Sequence, residues 1–306
     1  MRLFLKIVGV LALAMSWAAP ADAKCVGSPY PEELSPQAVF EHCSDEVAVS
    51  DRSSTDVRQT YLKRAFALHA LRSLQDAIND VSKAIEADED YGWSYYFRAT
   101  LFGELNDLPN AHIDASKALD RSPDLIEAYL FRAGVRHHLD EIPGALDDLN
   151  AALSRDPNLA DAYARRGSIL RSRNDYVVAL ADLDRALELG NRSVVTLNDR
   201  GLALMGLHRF EEALADFNKS LEVQSDYYQA NINRAIALQH LGRVDEAIAD
   251  VDYVVSVLGK VEVLRWQKAL HRINRFYEGP ADGVYSDELR RGIIACMHSD
   301  ACSSYK

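Results

Sequence analysis

The sequence predicts an all-α solenoid: six helix–turn–helix repeats closed by helical caps at both ends. Three observations carry that expectation. Arginine recurs at a constant 34-residue interval, at 64, 98, 132, 166, 200 and 234, and Ala or Gly follows each one. An aspartate stands sixteen residues after every arginine: Asp80, Asp114, Asp148, Asp182, Asp216 and Asp250. Within each interval apolar residues recur at three- and four-residue steps in two runs, the pattern of two amphipathic helices. At 48% hydrophobic residues, the chain can bury a core.

The first element reads as an export signal. "MRLFLKIVGVLALAMSWAAPADAKC" has a basic head at Arg2 and Lys6, an apolar run too short to span a bilayer comfortably, and then Ala21-Asp22-Ala23. Residues 1–23 are expected to be a signal peptide cleaved after Ala23, placing the protein in an exported compartment, the periplasm first among them. Lys24 precedes Cys25, where a lipid-attachment signal needs a small residue. No later segment reads as a membrane span. Loss of Arg2, Lys6 and Asp22 changes the formal charge from −12 to −13. A chain that acidic has no electrostatic footprint for nucleic acid or anionic lipid. Residues 24–57 follow as a leader and a capping helix, with helical spacing at Val39, Phe40, Cys43 and Val47. Such a helix would cover the open apolar end of the stack.

Residues 58–261 divide into six blocks of 34 without insertion or deletion. The eighth place is Ala65, Ala99, Ala133, Gly167, Gly201 and Ala235, and the twentieth is alanine in every block. The twenty-seventh is Ala84, Ala118, Ala152 and Ala186 before it drifts to Ser220 and Val254. Small residues there let helix axes approach closely. Asn106, Asp140, Asn174 and Gly242 stand at the fifteenth place, and such residues tolerate the left-handed conformation that ends a helix. A lone hairpin cannot bury its own apolar faces, so neighbours must stack.

This pattern resembles the tetratricopeptide repeat. The likeness rests on the 34-residue period, the small residues at places eight, twenty and twenty-seven, and the aromatic fourth place of Tyr61, Tyr95, Tyr129 and Tyr163. Leu197 and Asn231 replace that aromatic later, and proline near the block's end survives only as Pro123 and Pro157. The resemblance implies a right-handed superhelix. It also implies that places seven and twenty-three pack together, and the seventh, usually leucine in the family, is here always arginine. Six intra-repeat ion pairs are therefore expected: Arg64–Asp80, Arg98–Asp114, Arg132–Asp148, Arg166–Asp182, Arg200–Asp216 and Arg234–Asp250. Their role reads as structural.

In the family the first helix of each pair lines a concave face that grips partner peptides. The matching places here give Leu62, Phe66, His69, Trp93, Tyr96, Thr100, Leu130, His137 and Arg171 as candidate partner-binding residues. The lysines and asparagines of the clamp that captures a C-terminal carboxylate are missing from these places. Histidines at 69, 137, 138 and 240 are spread along the array without a carboxylate set, which reads as groove lining, not a metal site. No nucleophile–base–acid constellation, phosphate-cradling loop or metal-ligand motif appears, so neither an enzyme nor a cofactor is expected.

Residues 262–306 form the second cap. Lys268-Ala269 keeps the phase for one more helix, and "FYEGPADGVYSDELRRGIIACM" follows. Residues 276–294 resemble the helical peptidoglycan-binding module through Phe276, Tyr277, Gly279, Pro280, Asp282, Gly283, Val284 and Tyr285, with Ile293 and Ile294 in the helix. Ser286 stands where that family has glycine, and Ala295-Cys296-Met297 replaces its closing Phe-Gln. A degenerate module acting as a cap is the expectation, with Tyr277, Gly279, Asp282, Gly283 and Tyr285 as wall-binding candidates. The four cysteines, Cys25, Cys43, Cys296 and Cys302, allow three connectivities. An extended array holds its ends apart, so Cys25–Cys43 and Cys296–Cys302 are the expected pairs; they lack the C-x-x-C spacing of a zinc site. The function expected is a non-enzymatic scaffold or adaptor of the cell envelope that binds a partner protein or peptide. Attachment to peptidoglycan through the C-terminal segment is the alternative.

Overall fold

The structure, a computed structural model, describes residues 35–47, 53–273 and 277–297. Among these residues there are fourteen α-helices and no strand. They fall into two compact units, one ending at Pro157 and the other beginning at Asn158. The expected signal peptide, residues 24–34 (Cys25 among them) and 48–52 of the expected leader and capping segment, and Cys302 lie outside the described residues.

In the first unit a capping helix, α1 (Pro36–Val47), packs on α2 (Ser54–Ala70) through Val39 and Cys43. Three hairpins follow: α2 with α3 (Leu74–Ala87), α4 (Gly92–Glu104) with α5 (Leu108–Arg121), and α6 (Ile126–His138) with α7 (Ile142–Arg155). Helix α2 starts four residues ahead of the expected block boundary because the Ser53 hydroxyl accepts the Asp56 N–H and caps it there. The second unit holds α8 (Ala160–Ser172) with α9 (Tyr176–Glu188), α10 (Val194–Gly206) with α11 (Phe210–Val223), and α12 (Tyr228–His240) with α13 (Val244–Ile273). Helix α13 is interrupted at Gly259, whose φ of 64° and ψ of −153° no other residue adopts without strain. The closing helix, α14 (Asp287–Met297), packs back against α13. Each unit is thus a helical-repeat stack.

The turns obey the fifteenth place more strictly than composition suggested. Asn106, Asp140, Asn174 and Gly242 are left-handed, but so are Arg72 (φ 64°) and His208 (φ 58°). Packing of the hairpin imposes the conformation on residues that do not favour it. At the eighth place the two helices come so close that a Cβ on Gly201 would lie 2.5 Å from the Phe217 ring.

The arginine and aspartate of every repeat meet. In all six, Nε and Nη2 donate to the two carboxylate oxygens at 2.5–3.0 Å, the bidentate fork that only arginine offers. In four of the six the remaining nitrogen reaches back sixteen residues to the preceding hairpin. Nη1 of Arg98 donates to Ser82, that of Arg132 to Ser116, that of Arg200 to Asp184 and that of Arg234 to Asn218, at 2.8–3.1 Å. One side chain therefore ties three helices together. The aspartates are buried and the arginines only partly exposed, so the pair contributes by satisfying groups that are costly to leave unmade. The hydrogen bond to Asp216 is the main cause raising the Arg200 pKa above its ordinary value.

Candidate functional site: the first-helix faces

In the first unit the first-helix face is aromatic. Phe66 stacks on Phe97 with centroids 4.2 Å apart and planes 16° from parallel, and Trp93 tilts against both at 5.4–5.5 Å. Tyr96 meets Trp93 and Phe131 edge to face at 6.4 and 6.0 Å. Phe66 and Trp93 remain half-buried, so part of each ring is open. Phe97 and Phe131 stand at the sixth place, turned toward the core, and so fall outside the family's contact places. The aromatic run "WSYYF" was the available signal.

Several candidates are not available for contact, and this corrects the sequence reading. Leu62 is fully buried, and Tyr96 and Thr100 are only 4% and 3% exposed. The small eighth-place residues draw neighbouring helices together, so Leu62, Tyr96 and Thr100 turn inward, while Phe66 at the ninth place of the first repeat does not. The Thr100 hydroxyl donates to the Phe97 carbonyl at 2.7 Å. His69 is engaged at 2.5 Å with Glu104, which also pairs with Arg72. Leu130 is half-buried. The His137 and His138 rings lie 6.1 Å apart, and burial, then the charge of His138, lowers the His137 pKa.

In the second unit the corresponding face combines half-buried Leu202, Met205 and Ile232 with a set of polar side chains. Arg171 pairs with Asp199 at 3.1 Å, so it too is occupied. Burial pushes the Asp199 carboxyl above its ordinary value, opposed by the Arg171 charge. Beside it, Asn233 Nδ2 donates to Asn198 Oδ1 at 2.8 Å, both side chains buried. Among the described residues, no group of three or more His, Cys, Asp and Glu is placed to hold a metal ion, and no helix is long and apolar enough to cross a membrane.

The five wall-binding candidates are drawn into docking residues 277–297 onto α13. Gln267, fully buried there, donates to Asp282 Oδ1 and the Val284 carbonyl and accepts the Gly283 N–H, at 2.8–3.2 Å. Hydrogen bonds from the Val284 N–H and from Gln267 hold the Asp282 carboxyl below its ordinary range. Tyr277, 4% exposed, donates to the Pro280 carbonyl, and the Gly279 carbonyl meets His271. The Tyr285 hydroxyl and Arg290 Nε both donate to Asp252, the acceptor that a following repeat's arginine would have used.

Residues 139–193 and 198–255 match the tetratricopeptide repeat family model. No curated protein matches the chain. Among solved structures, a tetratricopeptide repeat protein from Parabacteroides merdae ATCC 43184 superposes with a TM-score of 0.59 at 18% identity, over 80% of this chain and 100% of that one. YrrB, described as a TPR protein with an unusual peptide-binding site, gives 0.53 at 19% identity over 62% and 96%. MamA protein gives 0.51 at 20% identity over 55% and 92%. At these identities the likeness is one of fold. Residues 139–193 and 198–255 thus resemble tetratricopeptide repeats, set within a helical-repeat fold shared with these structures.

Proposed function

We propose that this protein is an exported, non-enzymatic scaffold that grips a segment of a partner protein on the first-helix face of its N-terminal unit. The observation that carries the reading is the pair of half-open rings, Phe66 and Trp93, packed on the buried Phe97. Large rings that are rigid and only partly covered are the side chains that anchor protein interfaces. The description of YrrB, a structure of similar fold, as a protein with an unusual peptide-binding site supports the reading. Export is supported by the N-terminal sequence pattern, and the burial of Cys43 and Cys296, each 1% exposed, supports disulfides to Cys25 and Cys302.

The test is affinity capture from envelope extract, comparing the mature protein with Phe66→Ala, Trp93→Ala after circular dichroism shows both equally helical. A protein retained by the first and lost by the second is expected. Identical captures would remove the aromatic face from the function. Attachment to peptidoglycan has less support, because Tyr277, Gly279, Asp282, Gly283 and Tyr285 are engaged in internal contacts. Sedimentation with purified peptidoglycan checks it directly. N-terminal sequencing of the cell-expressed protein checks cleavage after Ala23.

A further inference from the structure

We propose that the fifth repeat carries a second binding site, between its second helix and that of the fourth repeat, which takes one tyrosine side chain of an extended partner segment. Four repeats have a tyrosine at the fourth place, and in the second and third its surroundings are similar. The Tyr95 ring lies 5.9 Å from both the Arg98 guanidinium and the Lys117 ammonium. The Tyr129 ring has Arg132 at 5.9 Å and Arg155 at 4.5 Å. The ring thus fills the space between the seventh-, twenty-sixth- and thirtieth-place side chains. In the fifth repeat those places are Arg200, Lys219 and Val223, and the fourth is Leu197.

Leucine supplies no ring, and a groove of about 570 Å³ opens at that point, with Leu187, Leu197 and Val223 among its apolar lining and Arg200 and Lys219 beside them. Arg200 is held on its edges by Asp216 and Asp184. Only the flat face of its guanidinium is left to recognise a ligand, and an aromatic ring is what such a face attracts. Arg192, Lys219 and Glu222 also line the groove and offer polar partners for a phenol hydroxyl, which favours tyrosine over phenylalanine. The sixth repeat resolves the same substitution differently: Asn231 donates to Asp250, and Tyr253 at the twenty-sixth place donates to the Ser225 carbonyl. Second helices supply most of the groove, with Leu197 and Arg200 contributed by α10, and none of its lining residues belongs to the aromatic face proposed above.

Methyl NMR of the full chain, titrated with N-acetyl-Gly-Tyr-Gly-amide, tests the site. The tyrosine peptide should shift the methyls of Leu187, Leu197 and Val223, and N-acetyl-Gly-Leu-Gly-amide should bind about tenfold more weakly. Leu197→Tyr, which restores the residue of the first four repeats, should abolish the Leu187 and Val223 shifts and raise Tm. Phe66→Ala should leave them unchanged. Equal shifts with the leucine peptide, no shifts with either, or shifts that survive Leu197→Tyr would overturn the proposal. So would self-association abolished by Leu197→Tyr, which would give the groove to a second copy of the chain.

Discussion

The two units are built on one frame, but only the N-terminal one lines its first helices with an aromatic cluster, and only the C-terminal one with a buried polar set. In each, the arginine at the seventh place grips the aspartate at the twenty-third with the same fork, from Arg64–Asp80 through Arg234–Asp250. Yet the first-helix face shows Phe66, Trp93, Phe97 and Phe131 in the N-terminal unit, and Arg171, Asn198, Asp199 and Asn233 in the C-terminal one. A repeat separates the residues that set its shape from those that face outward or toward its neighbours. The frame positions can stay constant while the lining changes, because the lining is not needed to close the hairpin.

The sharpest way to break that comparison is to remove the frame in both units. Asp148 accepts both Arg132 and Arg136, so Asp148→Ala orphans two guanidinium groups and should cost about 3–5 kcal/mol. Asp216→Ala, read by the same urea titration, should cost about 3 kcal/mol. Adding Arg200→Met to Asp216→Leu should recover most of it, since a missing pair is better tolerated than a broken one. If Asp216→Ala is silent, the clip is not part of the frame.

Gln267→Ala tests whether the C-terminal cap is held by one buried amide. It should destabilise the chain by about 2–3 kcal/mol, leaving buried donors and acceptors unmade, and speed hydrogen exchange across residues 277–297. Unchanged exchange there would show that the apolar contacts of α14 suffice.

The polar lining of the C-terminal unit is sharpened by a cycle on Asn198 and Asn233. Either asparagine changed alone to leucine should cost about 1–3 kcal/mol, and the double change should be closer to neutral. The smallest effect belongs to Asp199. Burial raises its pKa, so the folded chain binds that proton more tightly than the unfolded one, and ionisation costs stability as pH rises above the ordinary 3.8. Asp199→Asn removes that loss. Its stability relative to the parent should therefore increase with pH through that interval, read as urea midpoints between pH 4 and 7. A difference independent of pH would mean the carboxyl is not perturbed.

Much of this was legible because a repeat states its rules six times. Ala77 and its five equivalents, all alanine, reveal a helix crossing without any structure, since one small residue is chance and six in phase are a constraint. The partner-binding face was harder to read. Leu62, Tyr96 and Thr100 occupy family contact places but are buried, while Phe97 and Phe131, one place on from Tyr96 and Leu130, join the aromatic cluster. A one-residue step turns a side chain about 100° around a helix, and the neighbouring hairpin decides which side it covers.

The sequence by itself determined the helices, their pairing into hairpins and the partners of the arginine clip, because these depend on contacts within 34 residues and on a period that local chemistry enforces. Only the tertiary structure decided which lining residues stay open, that Arg72 and His208 turn left-handed, and that Gln267 and Asp252 receive the C-terminal segment. Those outcomes depend on which surfaces meet when one hairpin stacks on the next, and burial is a property of neighbours that no single repeat contains.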